Sequence, residues 1–160
     1  MKDHSPAEGA RGDRHPSSSL LQSSLTTTGN SDGDLELTLP RAGVAVVALR
    51  GEHDLSTAPE LRTLLTRLVA RNRLVVVDVS EAEFIDSSVL DTLLNAHRHA
   101  EAAFRRVVLQ LGPEPIVRTM LEVSGALDLL HCAASREEAL ASCPAGMVDQ
   151  WTDEPWRAAR

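Results

Sequence analysis

The chain has 160 residues, enough for one compact domain with tails but cramped for two. At 42% hydrophobic and 24% charged it can pack a core, and it is not disordered throughout; with aromatics at 2% (Phe84, Phe104, Trp151, Trp156) that core is aliphatic and a base-stacking surface for single-stranded nucleic acid is nearly excluded. The net charge of −7, from 16 basic against 23 acidic residues with Lys2 the sole lysine, argues against direct binding to a phosphate backbone.

Cys132 and Cys143 match neither a CxxC motif nor a zinc spacing and read as free, reduced thiols. Apolar runs such as Leu74-Val75-Val76-Val77 are too short to cross a bilayer, and Leu20-Leu21 among serines makes no secretory core. The expectation is a soluble, cytoplasmic protein with no membrane partner.

Residues 1–33 are rich in Ser and Thr and poor in large apolar residues, which predicts a disordered arm. Residues 34–142 are expected to form the domain and carry most of the acidity, with 11 basic against 16 acidic residues. Residues 143–160, with both tryptophans, are expected to form a C-terminal tail. Within the domain, Leu35, Leu37 and Leu39 alternate with polar residues as in a half-buried strand. A turn at 40–43 leads to a second strand over 44–49, completing a hairpin. Thr57-Ala58-Pro59-Glu60 has capping-box spacing and opens a helix to about Ala70, with Leu61, Leu64, Leu65 and Leu68 on one face. The run 74–79 is that of a central strand covered on both sides.

Residues 80–86 are expected to be a loop, followed by a helix over 88–103 with Val89, Leu90, Leu93, Leu94 and Ala100 inward and Asp91, Asn95, Arg98 and His99 outward. A strand over 107–111, a helix from Pro115 to Val123 ending near Gly125, a short strand over 129–132 and a last helix opened by Ser135-Arg136-Glu137-Glu138 complete the series. The order is ββαβαβαβα: a single α/β layer sandwich, its mixed sheet led by a β-hairpin.

The segment Phe84-Ile85-Asp86-Ser87-Ser88-Val89-Leu90 lies at a strand-to-helix junction. Asp86, Ser87 or Ser88 can cap the helix there. A serine hydroxyl at a helix N-terminus also suits an added phosphate, so two readings stand on local sequence, the cap being the commoner.

The same segment resembles the STAS family, specifically the bacterial anti-sigma-factor antagonists, whose signature reads Asp-Ser-Ser-Gly-Leu where this chain has Asp86-Ser87-Ser88-Val89-Leu90. Leu49-Arg50-Gly51-Glu52-His53-Asp54 resembles the family's Gly-Glu-x-Asp turn, and Thr57-Ala58-Pro59-Glu60-Leu61 the start of its first helix. Val75 to Val79 resembles its central strand, and Val123-Ser124-Gly125-Ala126-Leu127 its late Ser-Gly segment. The resemblance covers about 34–142. It implies a non-enzymatic regulator of transcription that binds an anti-sigma factor with serine kinase activity and is released when phosphorylated, with a serine phosphatase as a further partner. It implies Ser87 as the phosphate acceptor, and Asp54, Asp86, Ser88, Val89 and Asp91 as partner-binding positions. ATP and Mg²⁺ would belong to the kinase, so the chain itself needs no cofactor. Val89 stands where the family has glycine, and as a β-branched residue it is expected to add bulk on the surface the kinase approaches.

Two further readings are kept: a STAS scaffold or small-ligand sensor without phosphorylation, and a serine hydrolase using Ser87, which lacks a G-x-S-x-G elbow. His97 and His99 lie about 200° apart on a helix and do not chelate one metal together; solvated or partly packed histidines are expected. No Walker loop or dinucleotide fingerprint is present.

Overall fold

A computed structural model describes residues 25–27, 33–113 and 115–144. Six strands form one sheet in the order of the chain: β1 (Leu25–Thr27), β2 (Gly33–Arg41), β3 (Val44–His53), β4 (Leu74–Ile85), β5 (Arg106–Gln110) and β6 (His131–Ala133). The β1/β2 and β2/β3 pairs are antiparallel; from β3 to β6 every pair is parallel. The parallel pairs are joined through α1 (Ala58–Arg71), α2 (Ser87–Ala102) and α3 (Pro115–Val123), and α4 (Arg136–Ala141) follows β6. From β2 onward this is the expected order, and Gly125 adopts the left-handed conformation beyond α3.

Side-chain alternation along the strands builds two cores. Ala45, Val47 and Leu49 of β3, Val75, Val77 and Val79 of β4, and Val107 and Leu109 of β5 face one side, where α1, α2 and α3 cover them with Leu61, Leu65, Leu93 and Leu121. Val44, Val46, Leu74, Val76 and Val108 face the other side, packed with Ala139 and Leu140 of α4. Covering on both faces is why the β4 run reads as unbroken valine and leucine rather than as an alternation. Asp78 on this second face is nearly buried and accepts a hydrogen bond from Arg136 Nη2 at 3.0 Å, tying the start of α4 to the sheet.

Three expectations need correction. Leu25–Thr27 and Gly33, assigned to the disordered arm, are strand residues, with Leu25 opposite Leu37 and Thr27 opposite Leu35. The β-branched threonines that made the arm look merely polar also suit a strand added to an open edge. Residues 80–85 are not a loop: they extend β4, pairing with β3 from Arg50↔Glu81 to His53↔Ile85. Finally, Thr57 makes no capping box. Its backbone is αR and its hydroxyl donates to the Asp54 carbonyl at 3.0 Å instead of accepting from the helix. The second capping box does form: Ser135 Oγ accepts from Glu138 N at 3.1 Å and Glu138 Oε2 from Ala134 N at 2.8 Å. The rest of the arm and the tail from residue 145, with both tryptophans, lie outside the described residues.

The ends of β2 and β3 are closely fitted. Gly51 takes φ 75° at a β-bulge, a conformation glycine alone adopts cheaply. Gly33 sits against the β3 terminus, where a Cβ would fall 2.1 Å from Glu52 O and 2.9 Å from His53 Cε1. Gly33→Ala is therefore expected to destabilise the fold by about 1–3 kcal/mol, since backbone must move to admit the methyl group. A denaturant midpoint unchanged from the parent chain would contradict that fit.

Candidate functional site

The parallel register of β3 and β4 sets Glu52 opposite Phe84 and His53 opposite Ile85, so the two strands end side by side. The chain leaving β3 forms the 54–57 loop, and the chain leaving β4 turns at Asp86 into α2. Asp86 N donates to His53 O at 3.1 Å and fastens the two exits together. In the 54–57 loop, Asp54 Oδ1 accepts from Ser56 N at 2.8 Å and Ser56 Oγ at 2.6 Å. These bonds, with Ser56 foremost, hold the Asp54 carboxyl below its ordinary pKa.

Asp86 is the N-cap of α2. Its Oδ1 accepts from Ser88 N at 2.9 Å, Val89 N at 3.0 Å and Ser88 Oγ at 2.5 Å. Partial burial works to raise its pKa, but those three donors outweigh it and the carboxyl ends below the ordinary range. The two adjacent serines are thereby distinguished. Ser88 is half-buried with its hydroxyl spent on Asp86, whereas Ser87 is exposed and makes no side-chain hydrogen bond among those of the described residues. Asp91, one turn along α2 from Ser87, is exposed; it pairs with Arg62 of α1 at 3.5 Å and accepts from Asn95 Nδ2 at 2.9 Å.

Val89 departs from expectation. It is 0% exposed and its side chain belongs to the main core, so it presents no surface to a partner. The first turn of α2 faces inward at 89 and 90 and outward at 87 and 91. Two exposed apolar residues that the sequence did not single out occupy this end instead: Leu55 in the loop after β3, 72% exposed, and Phe84 near the end of β4, 46% exposed. Their place at one end of the sheet follows from the β3/β4 pairing, which local sequence does not reveal.

The remaining constellations separate. His97 turns inward and is buried, which corrects the expectation of a solvated or partly packed ring there, while His99 faces out. No histidine hydrogen-bonds to Ser87 among the described residues. Cys132 and Cys143 are free thiols. No helix among the described residues is long and apolar enough to cross a membrane.

A sequence profile of the STAS domain matches residues 38–139, more than half of the chain. The chain belongs to the STAS domain family. Among solved structures, an anti-sigma factor antagonist from Mycobacterium paratuberculosis aligns with 24% identity and TM-score 0.61, covering 73% of this chain and 98% of the other. The Bacillus cell fate determinant SpoIIAA in its phosphorylated form aligns with 24% identity and TM-score 0.54, over 67% of this chain and 96% of that one. The unphosphorylated form of SpoIIAA, an anti-sigma factor antagonist, aligns at 20% identity and TM-score 0.54, over 67% and 94%. At these identities the likeness is one of fold. No curated protein sequence matches the chain.

Two expectations follow for this STAS domain. Val89→Gly removes a fully buried side chain and adds glycine's entropy to the first turn of α2, so it should cost about 2–4 kcal/mol in chemical denaturation. A near-neutral result would mean that residue 89 is not a core position.

The second concerns His53, which is fully buried; its Nε2 lies 3.0 Å from Arg50 O and its Nδ1 has no partner. Burial lowers its pKa, against weaker raising by the Arg50 carbonyl and by Asp34 and Asp54. A histidine depressed in the folded state binds protons sooner when unfolded. Stability should therefore be intact above the unfolded-state value of about 6.5 and fall as pH drops below it. Denaturant midpoints measured from neutral to mildly acid pH should decline, and less steeply in His53→Gln.

Proposed function

We propose that this STAS domain is an anti-sigma-factor antagonist that switches partners through phosphorylation of Ser87. The observation that carries the reading is the asymmetry of the serine pair: Ser87 is exposed with its hydroxyl uncommitted, beside Ser88 whose hydroxyl is held by Asp86. In this reading the unmodified end of the domain, with Asp54, Leu55, Phe84, Asp86, Ser87, Ser88 and Asp91, docks on an anti-sigma factor with serine kinase activity. Ser88 and Asp86 act by holding the turn, and Asp54, Ser87 and Asp91 by contact. The kinase supplies ATP and Mg²⁺, and a serine phosphatase reverses the step. The domain works in the cytoplasm, on transcription through its protein partner rather than on nucleic acid, and performs no catalysis itself.

Phosphate on Ser87 adds nearly two negative charges one helical turn from Asp91 and beside Asp86. An interface fitted to a neutral hydroxyl then meets repulsion and a desolvation cost. The N–H groups of Ser88 and Val89 are already bonded to Asp86, so the phosphate gains little from them in compensation.

The test uses two substitutions of opposite kind. Ser87→Ala should keep binding to the anti-sigma factor and abolish phosphate incorporation from ATP. Ser87→Asp should weaken binding by about 1–3 kcal/mol, or roughly 5–150-fold. Both should leave the melting transition almost unmoved, because Asp86 provides the cap. Equal binding by the two variants, or phosphate mapped to Ser88, would sink the assignment.

A second reading, a ligand sensor that is not phosphorylated, rests on a groove of about 510 Å³ between α1 and α2, lined by Leu65, Val69 and Ala96 with Arg62 and Arg105 among its polar residues. It predicts partner binding that responds to a small molecule in the groove and is indifferent to Ser87→Asp.

A further inference from the structure

His97 and Glu101 stand one turn apart near the C-terminal end of α2, and His131 opens the edge strand β6. Their side chains converge. His97 Nε2 lies 3.4 Å from Glu101 Oε1, and His131 Nε2 lies 3.6 Å from the same oxygen. The two imidazoles meet edge to face, with ring centres 5.0 Å apart and planes at 69°. One donor atom from each residue falls within a span of 4.8 Å.

These separations are long for hydrogen bonds, whose N···O distance centres on about 2.9–3.0 Å. The two Glu101 separations suit ligands sharing one ion, and the remaining pair, up to 4.8 Å apart, would have to close up on binding. Zinc bonds of about 2.0–2.2 Å in tetrahedral geometry place neighbouring ligand atoms about 3.3–3.6 Å apart. His97 is 5% exposed, and its Nε2 faces Glu101 Oε1 at 3.4 Å, a poor hydrogen bond that a cation between the two atoms would replace. Its Nδ1 is buried without a partner and gains nothing from the ion.

We propose that His97, Glu101 and His131 bind one borderline divalent cation of the zinc class, which clips the end of α2 to β6. Two imidazoles and one carboxylate favour zinc, cobalt, nickel or copper over magnesium or calcium. Glu101 and His131 are both exposed, so water reaches the fourth position. Because Nδ1 of His97 has no acceptor behind it, the site lacks a support generally worth about 10–100-fold in affinity. Weaker binding than at a fully supported zinc site is therefore expected. The site is ten residues along α2 from Ser87, about 15 Å at the helical rise, and does not depend on the phosphorylation reading. Its structural effect is on β6, which is only three residues long and pairs with β5 alone among the described strands.

The experiment titrates the untagged full chain, stripped with a chelator and dialysed, with Zn²⁺ against a chromophoric competitor near neutral pH. One ion per chain is expected. His131→Ala and Glu101→Gln change exposed side chains, so both should fold, as circular dichroism will check, and both should weaken binding by about 10-fold or more. His99→Ala, at an exposed histidine on the same helix, should not, and neither should His4→Ala/His15→Ala. Co²⁺ should give the intense visible bands of a tetrahedral site in the parent chain and lose them in His131→Ala. Zinc should raise the melting temperature of the parent chain and leave that of His131→Ala unmoved. Absence of saturable binding up to high micromolar zinc overturns the proposal and leaves the three side chains as an ion pair. Stoichiometric binding undiminished in His131→Ala and Glu101→Gln overturns it as well, and places the ion elsewhere.

Discussion

The pairing of β3 with β4 continues past the point where β5 stops, and the geometry of the Ser87 end depends on that added length. β5 leaves the sheet at Gln110, opposite Asp78, while β4 runs on to Ile85 with β3 beside it. The projecting ribbon carries both exits, and the Asp86 N–His53 O bond locks them at one level. Arg50 crosses the ribbon, paired with Glu36 of β2 and with Glu81 of β4 at 2.6 Å, the Glu81 bond contributing most to its raised pKa. Ion pairs this exposed contribute little stability. The backbone ladder, the bulge at Gly51 and the close seat of Gly33 on His53 therefore carry the register, and the charges decorate it.

That frame makes chemically different residues of two neighbouring serines. In a helix's first turn the backbone N–H groups need acceptors, and Asp86 supplies one carboxylate oxygen to two of them. Ser88 joins the same oxygen through its hydroxyl, which leaves Ser87 as the residue facing water. An anion added there meets a helix terminus already neutralised by Asp86, with Asp54 close enough to act on that carboxylate. A helix start of this kind suits expulsion of a bound partner by charge better than capture of an anion. Arg62 of α1 is engaged with Asp91.

The elements that could be read from the sequence were those whose side chains settle their own environment. The valine run of β4, the leucine faces of α1 and α2 and the Ser135 capping box are local patterns with local causes. Errors arose where a distant segment decides. Residues 80–85 look polar enough for a loop because only β3 pairs with them, and β1 looks like part of an arm because three residues cannot show a period. Thr57 has capping-box spacing, but Asp54 draws its hydroxyl backward. At the site, the strand–helix junction offered Asp86, Ser87 and Ser88 alike as caps, and the fold gives that place to Asp86. Leu55 and Phe84 were not legible, since their place at one end of the sheet is a product of register. His97 and Glu101 have the i,i+4 spacing of a helical ligand pair, but His131 joins them only through the fold.

Val89 shows how a motif position can change without changing the surface. Its amide does what any residue there would do, donating to Asp86 Oδ1 at 3.0 Å, and this bond is independent of the side chain. The side chain adds to the core beneath α2 and is wholly removed from solvent. A β-branched residue gives up little at this position, because the helix already fixes its χ1 and burial rewards its volume. What lies exposed at this end is consequently residues 84, 87 and 91 and the loop residues 54–56. The exposed side chains of this end include apolar ones at 55 and 84 and carboxylates at 54 and 91. On the phosphorylation proposal, a surface of that composition suits a partner with apolar recesses and a basic rim, and phosphate on Ser87 adds nearly two negative charges to it.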